Sequence, residues 1–398
     1  IIHSMKVVTD ENKIKELLTR GVEDVISLED LEEKLKSGKI LLIKLGIYPT
    51  RPNIHIGRSI PLLKLRDFQE LGHQIVFIVG DFTGVIGDTS DKESERPMLS
   101  IDVVKENMKD YVEQAGKIID LSKCEIHYNS EWLGKLTYSE IGEQADCFAL
   151  SDFISRENIK KRLDSGIRVS LREVLYPLMQ GYDSVAIKAD IELGGTDQKF
   201  NFLAGRRLQE KYKQEPQNII MNPLICGTDG RKMSSSWGNV INLKTEPNDM
   251  YGKIMSLNDN LIIQYFELTT RVPLEIVYQY KKQLEDGVNP RDVKMQLALE
   301  VTKMYYNELK AQNAQDSWEK TFQKKEIPEE MRQIKSGGKL LDILVENKIL
   351  SSKNEVRRLI EEGAITELTK DQKIDNPNYV PQKGQKLKIG KRKFIELI

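Results

Sequence analysis

Gly46-Ile47-Tyr48-Pro49-Thr50-Arg51-Pro52-Asn53-Ile54-His55 leaves an apolar run and enters an amphipathic one, which exposes unpaired backbone donors at a helix start. The positive end of that helix points the same way, so phosphate is its natural guest. Gly57 has no side chain to hold a flat adenine away from the backbone, and His55 and Thr50 carry donors for phosphate oxygens. Far downstream, Gly230 to Ser236 offers a glycine, the cations Arg231 and Lys232 and three hydroxyls, the composition of a mobile anion clamp. Alone, the first stretch reads as well as a histidine beside a packing glycine, and the second as a solvated surface loop. Together, in this order around a parallel sheet, they describe one split nucleotide site.

The elements that would position it follow from periodicity. Ile40 to Leu45 and Gln74 to Val79 are apolar runs separated by the amphipathic stretch Ile56 to Leu71, a strand, helix, strand unit. Pro61 falls in the first turns of that helix and Gly72 follows its end. A later strand, Ser184 to Glu192, runs into Gly194-Gly195-Thr196-Asp197-Gln198 and a helix through Lys213. This alternation predicts an α/β fold with a doubly wound parallel sheet, whose ligands sit at the carboxyl ends of the strands. From Asn248 to Glu319 strand signals vanish and helical patterns such as Arg291 to Leu309 take over. Lys324 to Gly338, with Pro328, Gly337 and Gly338 among charges, reads as a linker. The expected division is a catalytic domain with an N-terminal extension over 1–245, a helical domain over 246–323, a linker over 324–338 and a small α+β module over 339–398. In that module Ser352 and Glu355 make a capping box for a helix from Lys353 to Glu362, closed by Gly363.

Composition narrows the class. A chain of 398 residues is too long for one ordinary core. Hydrophobic residues are 39% and charged residues 30%, and no apolar run approaches the roughly 18 to 20 residues that span a bilayer. The four residues ahead of Met5 are too short and mixed for a signal peptide. Cys124, Cys147 and Cys226 lack CxxC spacing, so neither a disulfide framework nor a thiolate zinc site is indicated, and a reducing cytoplasm fits. His3, His55, His73 and His127 share no helical or hairpin spacing, so no protein-ligated metal is expected. A net charge of -1 argues against blanket coating of nucleic acid, but Lys383, Lys386, Lys388, Lys391, Arg392 and Lys393 alternate with Leu387, Ile389 and Phe394, making one strand face basic and suited to RNA phosphates, or else merely solvated.

His55-Ile56-Gly57-Arg58 resembles the HIGH signature of class I aminoacyl-tRNA synthetases, and Lys232-Met233-Ser234-Ser235-Ser236 resembles their KMSKS loop. Asp81-Phe82-Thr83-Gly84-Val85-Ile86-Gly87-Asp88, Tyr176-Pro177-Leu178-Met179-Gln180-Gly181-Tyr182-Asp183 and Gly194 to Gln198 resemble the amino-acid and ribose segments of bacterial tyrosyl-tRNA synthetases. The C-terminal module, through Ser352 to Gly363 and Gly390-Lys391-Arg392-Lys393, resembles their S4-like RNA-binding domain. The resemblance implies a Rossmann-like catalytic domain, activation of L-tyrosine by ATP with Mg2+, transfer to tRNA(Tyr), and a homodimer. It implies that Tyr176, Gln180 and Asp88 hold the substrate ammonium and that Asp183 accepts from the tyrosine hydroxyl, with Thr83 in the same pocket. Gln198 would meet the carboxylate region, and Asp197 and Gly195 the ribose. Gly46, Tyr48, Gly57, Arg58, Ser234 and Ser235 would line the ATP, with His55, Lys232 and Thr50 stabilising charge on its phosphates. Arg357, Arg358, Lys388, Lys391, Arg392 and Lys393 would meet RNA. Lys92 and Arg96 are candidates for phosphate or tRNA contact, or exposed salt-bridge formers.

Tyr176 and Gln180, four apart, and Asp183, three further on, make one helix face polar, a pattern that suits a binding surface. Three positions depart from the family: Tyr48 stands in place of an Asp, Arg58 in place of the second His and Ser235 in place of the second Lys. Charge around the nucleotide becomes more positive by one. In one reading Arg58 partly substitutes for the missing Lys while Tyr48 packs beside its guanidinium. The alternative is a synthetase-like paralogue that binds tyrosine or RNA with impaired aminoacylation.

Overall fold

The computed structural model describes residues 7–47, 53–86, 101–235, 237–323, 331–390 and 393–398. Tyr48, Thr50, Asp88, Lys92, Arg96, Ser236, Lys391 and Arg392 lie outside the described residues. Strands β1 (Asp24–Ile26), β2 (Leu42–Ile47), β3 (Gln74–Val79), β4 (Cys124–Tyr128), β5 (Ile191–Gly195) and β6 (Asn218–Asn222) form a sheet in the order β1-β6-β5-β2-β3-β4. β1 is antiparallel to β6 and the other pairs are parallel. In β2, Ile43 and Leu45 alternate with Lys44 and all three are buried, as a sheet covered on both faces requires. From β2 the chain steps outward through β3 to β4, then returns to β5 on the other flank. Strand order therefore reverses between β2 and β5, where Ile43 and Lys44 lie opposite Ile191 and Glu192. Such a reversal opens a crevice at the carboxyl ends of the strands.

The Ile56–Glu70 helix packs on β2, β3 and β5 and buries Ile56, Ile60, Leu63 and Phe68. Pro61 lies in its second turn, one step beyond the first turn, so the carbonyl of Gly57 lacks a donor from that position. Lys64 of the same helix is buried, and its Nζ donates at 2.7 Å to the carbonyls of Leu17 and Arg20, satisfying the end of the Glu11–Thr19 helix.

The expected strand from Ser184 to Glu192 is divided between two elements. The Leu171–Ile187 helix runs through Ser184, and β5 begins only at Ile191. Lys188 ends the helix in the left-handed region at φ 53°, and the Ala189 N–H returns to the Ser184 carbonyl at 3.0 Å. This is a Schellman closure made without glycine. At the other end Ser170 and Glu173 form a capping box, and the Glu173 carboxylate also accepts from buried Arg162 at 2.6 Å.

The chain divides into two compact units, Ile1–Thr245 with Leu257–Leu297, and Glu246–Ser256 with Ala298–Ile398. The first adds the Ile262–Thr269 and Leu274–Glu285 helices, with Phe266 stacked on Tyr280 at 4.8 Å. In the second, the Pro247–Met255 and Glu308–Trp318 helices bring the Tyr251 and Trp318 rings to 6.2 Å. This unit ends in a sheet of β7 (Arg332–Ile334), β8 (Ile365–Glu367), β9 (Gln372–Lys373), β10 (Lys386–Ile389) and β11 (Lys393–Leu397), ordered β7-β11-β10-β8-β9. β7, inside the stretch that reads as a linker, pairs parallel with β11. The Leu340–Glu346 and Lys353–Glu361 helices share a core with Leu387, Ile389, Ile395 and Leu397. Ser352 accepts from the Glu355 N–H at 3.2 Å, but the Glu355 carboxylate turns to the Ser351 N–H at 2.8 Å, so only half of the expected capping box forms. Among the described residues no helix is long and apolar enough to cross a membrane.

Leu387 is fully buried in this last core. Leu387→Ala is expected to destabilise the C-terminal module by about 2–5 kcal/mol in urea unfolding; a loss below about 1 kcal/mol would contradict this packing.

Candidate active site

Among the described candidates His55, Thr83 and Asp197 follow the carboxyl ends of β2, β3 and β5, and Lys232, Ser234 and Ser235 follow that of β6. Past β3 and β4 the chain forms two short helices, Asp81–Ile86 and Ser130–Leu133. Asp81 ties them, Oδ1 accepting from the Ser130 N–H at 2.9 Å and Oδ2 from its hydroxyl at 2.6 Å. That joint delivers Thr83, Asn129 and Trp132 to Asp183. Trp132 Nε1 donates to Asp183 Oδ1 at 2.8 Å, and Asn129 Nδ2 donates to Asp183 Oδ2 at 3.3 Å and to Thr83 Oγ1 at 2.9 Å. Asp183 is 4% exposed. Burial lifts its carboxyl to about 7, against the opposing pull of the Lys44 ammonium and the two side-chain donors.

One turn earlier, Gln180 Oε1 accepts from Asn201 Nδ2 at 3.0 Å, and the same amide donates to Gln198 Oε1 at 2.9 Å. Gln180 and Gln198 are thus gathered on Asn201, while Tyr176 is buried a further turn back. Asn129, Trp132 and Asn201 were not legible as site residues. The signal available for the first two was their place immediately after a strand's carboxyl end.

On the nucleotide side, His55 caps the Ile56–Glu70 helix and is buried, with no hydrogen-bond partner for Nδ1 among the described residues. Burial, reinforced by the Arg58 guanidinium, holds its imidazole near 3. His55 is therefore neutral at neutral pH and offers one N–H rather than a cation. Two donors at this helix start are already engaged: Ile56 N–H with the Ile241 carbonyl at 2.9 Å, and Gly57 N–H with Met233 Sδ at 3.3 Å. A thioether is a weak acceptor, so the second is readily exchanged. A β-carbon on Gly57 would stand 3.1 Å from Ile225 Cγ2, so this glycine lets the downstream segment lie close. Arg58 hydrogen-bonds Tyr111 of the Ile101–Ala115 helix, a partner the sequence did not suggest.

The downstream loop is organised by Asn239, which is 3% exposed. Its Oδ1 accepts from the Ser234 N–H at 2.8 Å, and its Nδ2 donates to Asp229 Oδ1 at 2.7 Å and the Lys232 carbonyl at 3.1 Å. Asn239 and Arg231 hold the Asp229 carboxyl down to about 2, and the Arg231 guanidinium lies 4.8 Å from the Trp237 ring centre. Lys232 Nζ reaches Asp197 Oδ2 at 3.6 Å. A β-carbon on Gly195 would stand 2.6 Å from Asp197 Oδ1, so glycine there lets the carboxylate lie against the backbone. A β-carbon on Gly46, near the end of β2, would meet no atom of the described residues within 4 Å. The two halves of the split site are thus joined through Gly57 and Met233 and through Lys232 and Asp197, with Ser235 in the turn that follows.

In the C-terminal module Arg357 and Arg358 are exposed on the Lys353–Glu361 helix. Phe394, read with the apolar face, pairs with Lys388 across β10 and β11, its ring 5.8 Å from the ammonium, while Leu387 pairs with Ile395. The apolar alternation changes phase between the two strands, placing this aromatic on the basic face. Lys393 Nζ donates to the Ile349 carbonyl, so its charge is engaged within the module.

Asp183 holds its proton in the folded chain up to about pH 7, whereas an unfolded Asp releases it near pH 4. The stability this group contributes is present below about pH 4 and lost as pH rises through about 7. Thermal unfolding of Asp183→Asn is therefore expected to gain on wild type between pH 5 and pH 8; an unchanged difference would contradict the buried proton. Asn239→Ala is expected to reduce turnover at the nucleotide site up to about 100-fold with little change in amino-acid KM; wild-type turnover would show that Asn239 does not shape the loop.

Residues 36–323 match the family model of tRNA synthetases class I (W and Y). The chain is 44% identical to the tyrosine–tRNA ligase of Thermotoga maritima over 395 residues, covering 98% of each. It is 45% identical to that of Carboxydothermus hydrogenoformans over 400 residues, covering 96% of this chain and 97% of the other. The fold is similar to a C-terminally truncated mitochondrial tyrosyl-tRNA synthetase of Aspergillus nidulans, with TM-score 0.66 and 20% identity, covering 79% of this chain and 95% of that one. It is also similar to the tyrosyl-tRNA synthetase of Archaeoglobus fulgidus complexed with L-tyrosine, with TM-score 0.61 and 20% identity, covering 76% and 99%. With the motifs, the switch-point crevice and near-complete coverage in agreement, the chain belongs to the tyrosine–tRNA ligase family of class I tRNA synthetases.

Proposed function

We propose that this chain activates L-tyrosine with ATP and passes the tyrosyl group to tRNA(Tyr). The observation that carries the reading is Asp183, a buried carboxylate held by Trp132 and Asn129 beside a polar helix face. A phenolic O–H adds a third donor to this acceptor, beside Trp132 and Asn129. Phenylalanine covers the carboxylate from water without supplying that donor, which costs about 1–3 kcal/mol, or about 5- to 150-fold in discrimination.

The reaction has two displacements. A tyrosine carboxylate oxygen attacks the α-phosphorus of ATP, forming the adenylate as the bond to pyrophosphate breaks. A terminal ribose hydroxyl of tRNA then attacks the acyl carbon, and AMP leaves with the electron pair of the broken mixed-anhydride bond. Alignment and charge stabilisation do most of this work. Tyr176, Gln180 and Asp88 hold the ammonium, Thr83 supports the Asp183 shell, and Gln198 meets the carboxylate region. Asp197 and Gly195 meet the ribose, while Gly46, Gly57 and Tyr48 border the base. Neutral His55, Thr50, Lys232, Ser234 and Ser235 donate to the phosphates, and Mg2+ enters with ATP as part of the substrate. As charge develops, Lys232 exchanges Asp197 for phosphate; a contact of 3.6 Å between partly exposed groups is weak enough to permit this.

Arg357, Arg358 and Lys388, with Lys391 and Arg392, offer charge to tRNA phosphates, and Lys393 joins them by exchanging its bond to the Ile349 carbonyl. Exposed Leu150, Ile154, Leu163, Ile167 and Leu171 support a homodimer, and the unpaired cysteines Cys124, Cys147 and Cys226 suit the cytoplasm. Arg58, held by Tyr111, supplies part of the charge that Ser235 lacks.

Isotope exchange between pyrophosphate and ATP is expected to require L-tyrosine, and tRNA(Tyr) to be charged. No exchange would overturn the enzyme reading, and exchange without charging would point to a different acyl acceptor. Arg58→His is expected to raise the KM for ATP about 5- to 10-fold with tyrosine KM unchanged; higher turnover at unaltered ATP affinity would end the compensation idea.

A further inference from the structure

Lys44 is a charged residue in the middle of an apolar strand, with relative side-chain exposure of 0% and its partner Glu192 at 1%. All three ammonium protons are used: Nζ donates to Glu192 Oε1 at 2.7 Å, Ser184 Oγ at 2.7 Å and the Gln180 carbonyl at 3.0 Å. Glu192 is in turn satisfied by the Ser184 hydroxyl at 3.2 Å and by Gln217 Nε2. Lys44 and Glu192 are register partners on adjacent parallel strands, one on each side of the strand-order reversal. Gln180 and Ser184 bracket Asp183 within one turn of the Leu171–Ile187 helix.

We propose that Lys44 is a positioning residue for amino-acid selection: with Glu192 it clamps the helix turn carrying Gln180 and Asp183 to β2 and β5, and so fixes where the substrate hydroxyl is read. This rests on the tyrosine reading above. Stability alone gives a poor account of the pair, because two apolar side chains of similar volume usually serve a core as well as a buried ion pair or better. What apolar residues could not supply is two directed bonds to the turn that holds the selecting carboxylate, with a third that ties the same ammonium to β5. Lys44 also supplies positive charge that acts on Asp183. The groups facing Asp183 are Lys44 from β2, Glu192 from β5, and Trp132 and Asn129 after β4; the ammonium's downward pull outweighs the upward push of Glu192.

The test is pyrophosphate exchange by the full-length protein with L-tyrosine and, separately, L-phenylalanine. Lys44→Met strands the Glu192 carboxylate, so Lys44→Met/Glu192→Gln, which removes both charges, carries the comparison. In that variant the tyrosine-to-phenylalanine ratio of kcat/KM is expected to fall about 10- to 100-fold through a raised tyrosine KM, with ATP KM within about 2-fold of wild type. The acid limb of the tyrosine kcat/KM profile is expected to move to higher pH. Ser184→Ala withdraws an acceptor from Lys44 and a donor from Glu192 while leaving their ion pair in place, and is expected to lower the ratio about 3-fold. A wild-type ratio and pH profile in the folded double variant, or in Ser184→Ala should the double variant not fold, overturns the proposal. So does an equal loss for both amino acids and ATP, the mark of a purely structural role. Absence of tyrosine-dependent exchange in the wild type instead overturns the tyrosine reading itself.

Discussion

Three ionisable side chains, Lys44, Asp183 and Glu192, are buried around a single helix turn, and the catalytic sheet is arranged so that none of them is stranded. An unpaired charge there would cost several kcal/mol, comparable to the whole stability of a domain. Lys44 and Glu192 neutralise each other across the β2–β5 register, and Asp183 is answered by Trp132 and Asn129. These contacts join β2, β5, the Leu171–Ile187 helix and the segment after β4. The next residues along β2 and β5 toward their carboxyl ends lead to Gly46 and Gly195, so the arrangement that satisfies the charges also sets the crevice beside them.

The two halves of the crevice are held differently. The amino-acid half is held by a buried group of hydrogen bonds through Asp183, Asn129 and Thr83 and a half-buried group through Gln180, Asn201 and Gln198. The nucleotide half is joined by weaker contacts, an amide on a thioether and a lysine 3.6 Å from a carboxylate. A rigid selecting surface opposed by exchangeable contacts suits a reaction in which one substrate must be identified and the other gripped only as charge develops. Loop shape comes from uncharged Asn239 and from the Asp229–Arg231 pair, which leaves Lys232 available to a ligand. This is a way for the loop to work although Ser235 stands where the KMSKS signature has a second lysine.

Much of this was legible in the sequence where local periodicity and burial agree. The β2–β3 unit with its intervening helix, and the polar face of Tyr176, Gln180 and Asp183, follow from spacing alone. Ser184 to Glu192 misled because Val185, Ile187, Ala189 and Ile191 fall at every second position, Ala186 alone interrupting the polar residues between them, and no glycine or proline marks the break; Lys188 ends the helix in a left-handed conformation that its type does not announce. Lys44 was invisible as a site residue because its partners Gln180 and Ser184 lie 136 and 140 residues away in sequence, with Glu192 further still, and meet it only through the crossover. Phe394 was misassigned because face depends on the register between β10 and β11, which neither strand encodes by itself.

The most direct measurement is a crystal structure of the full chain with L-tyrosine bound. The account predicts the phenolic oxygen within hydrogen-bond distance of an Asp183 carboxylate oxygen, with the ammonium toward Tyr176 and Gln180. Tyrosine bound with its hydroxyl directed away from Asp183, or bound outside the crevice at the β2–β5 reversal, would contradict it.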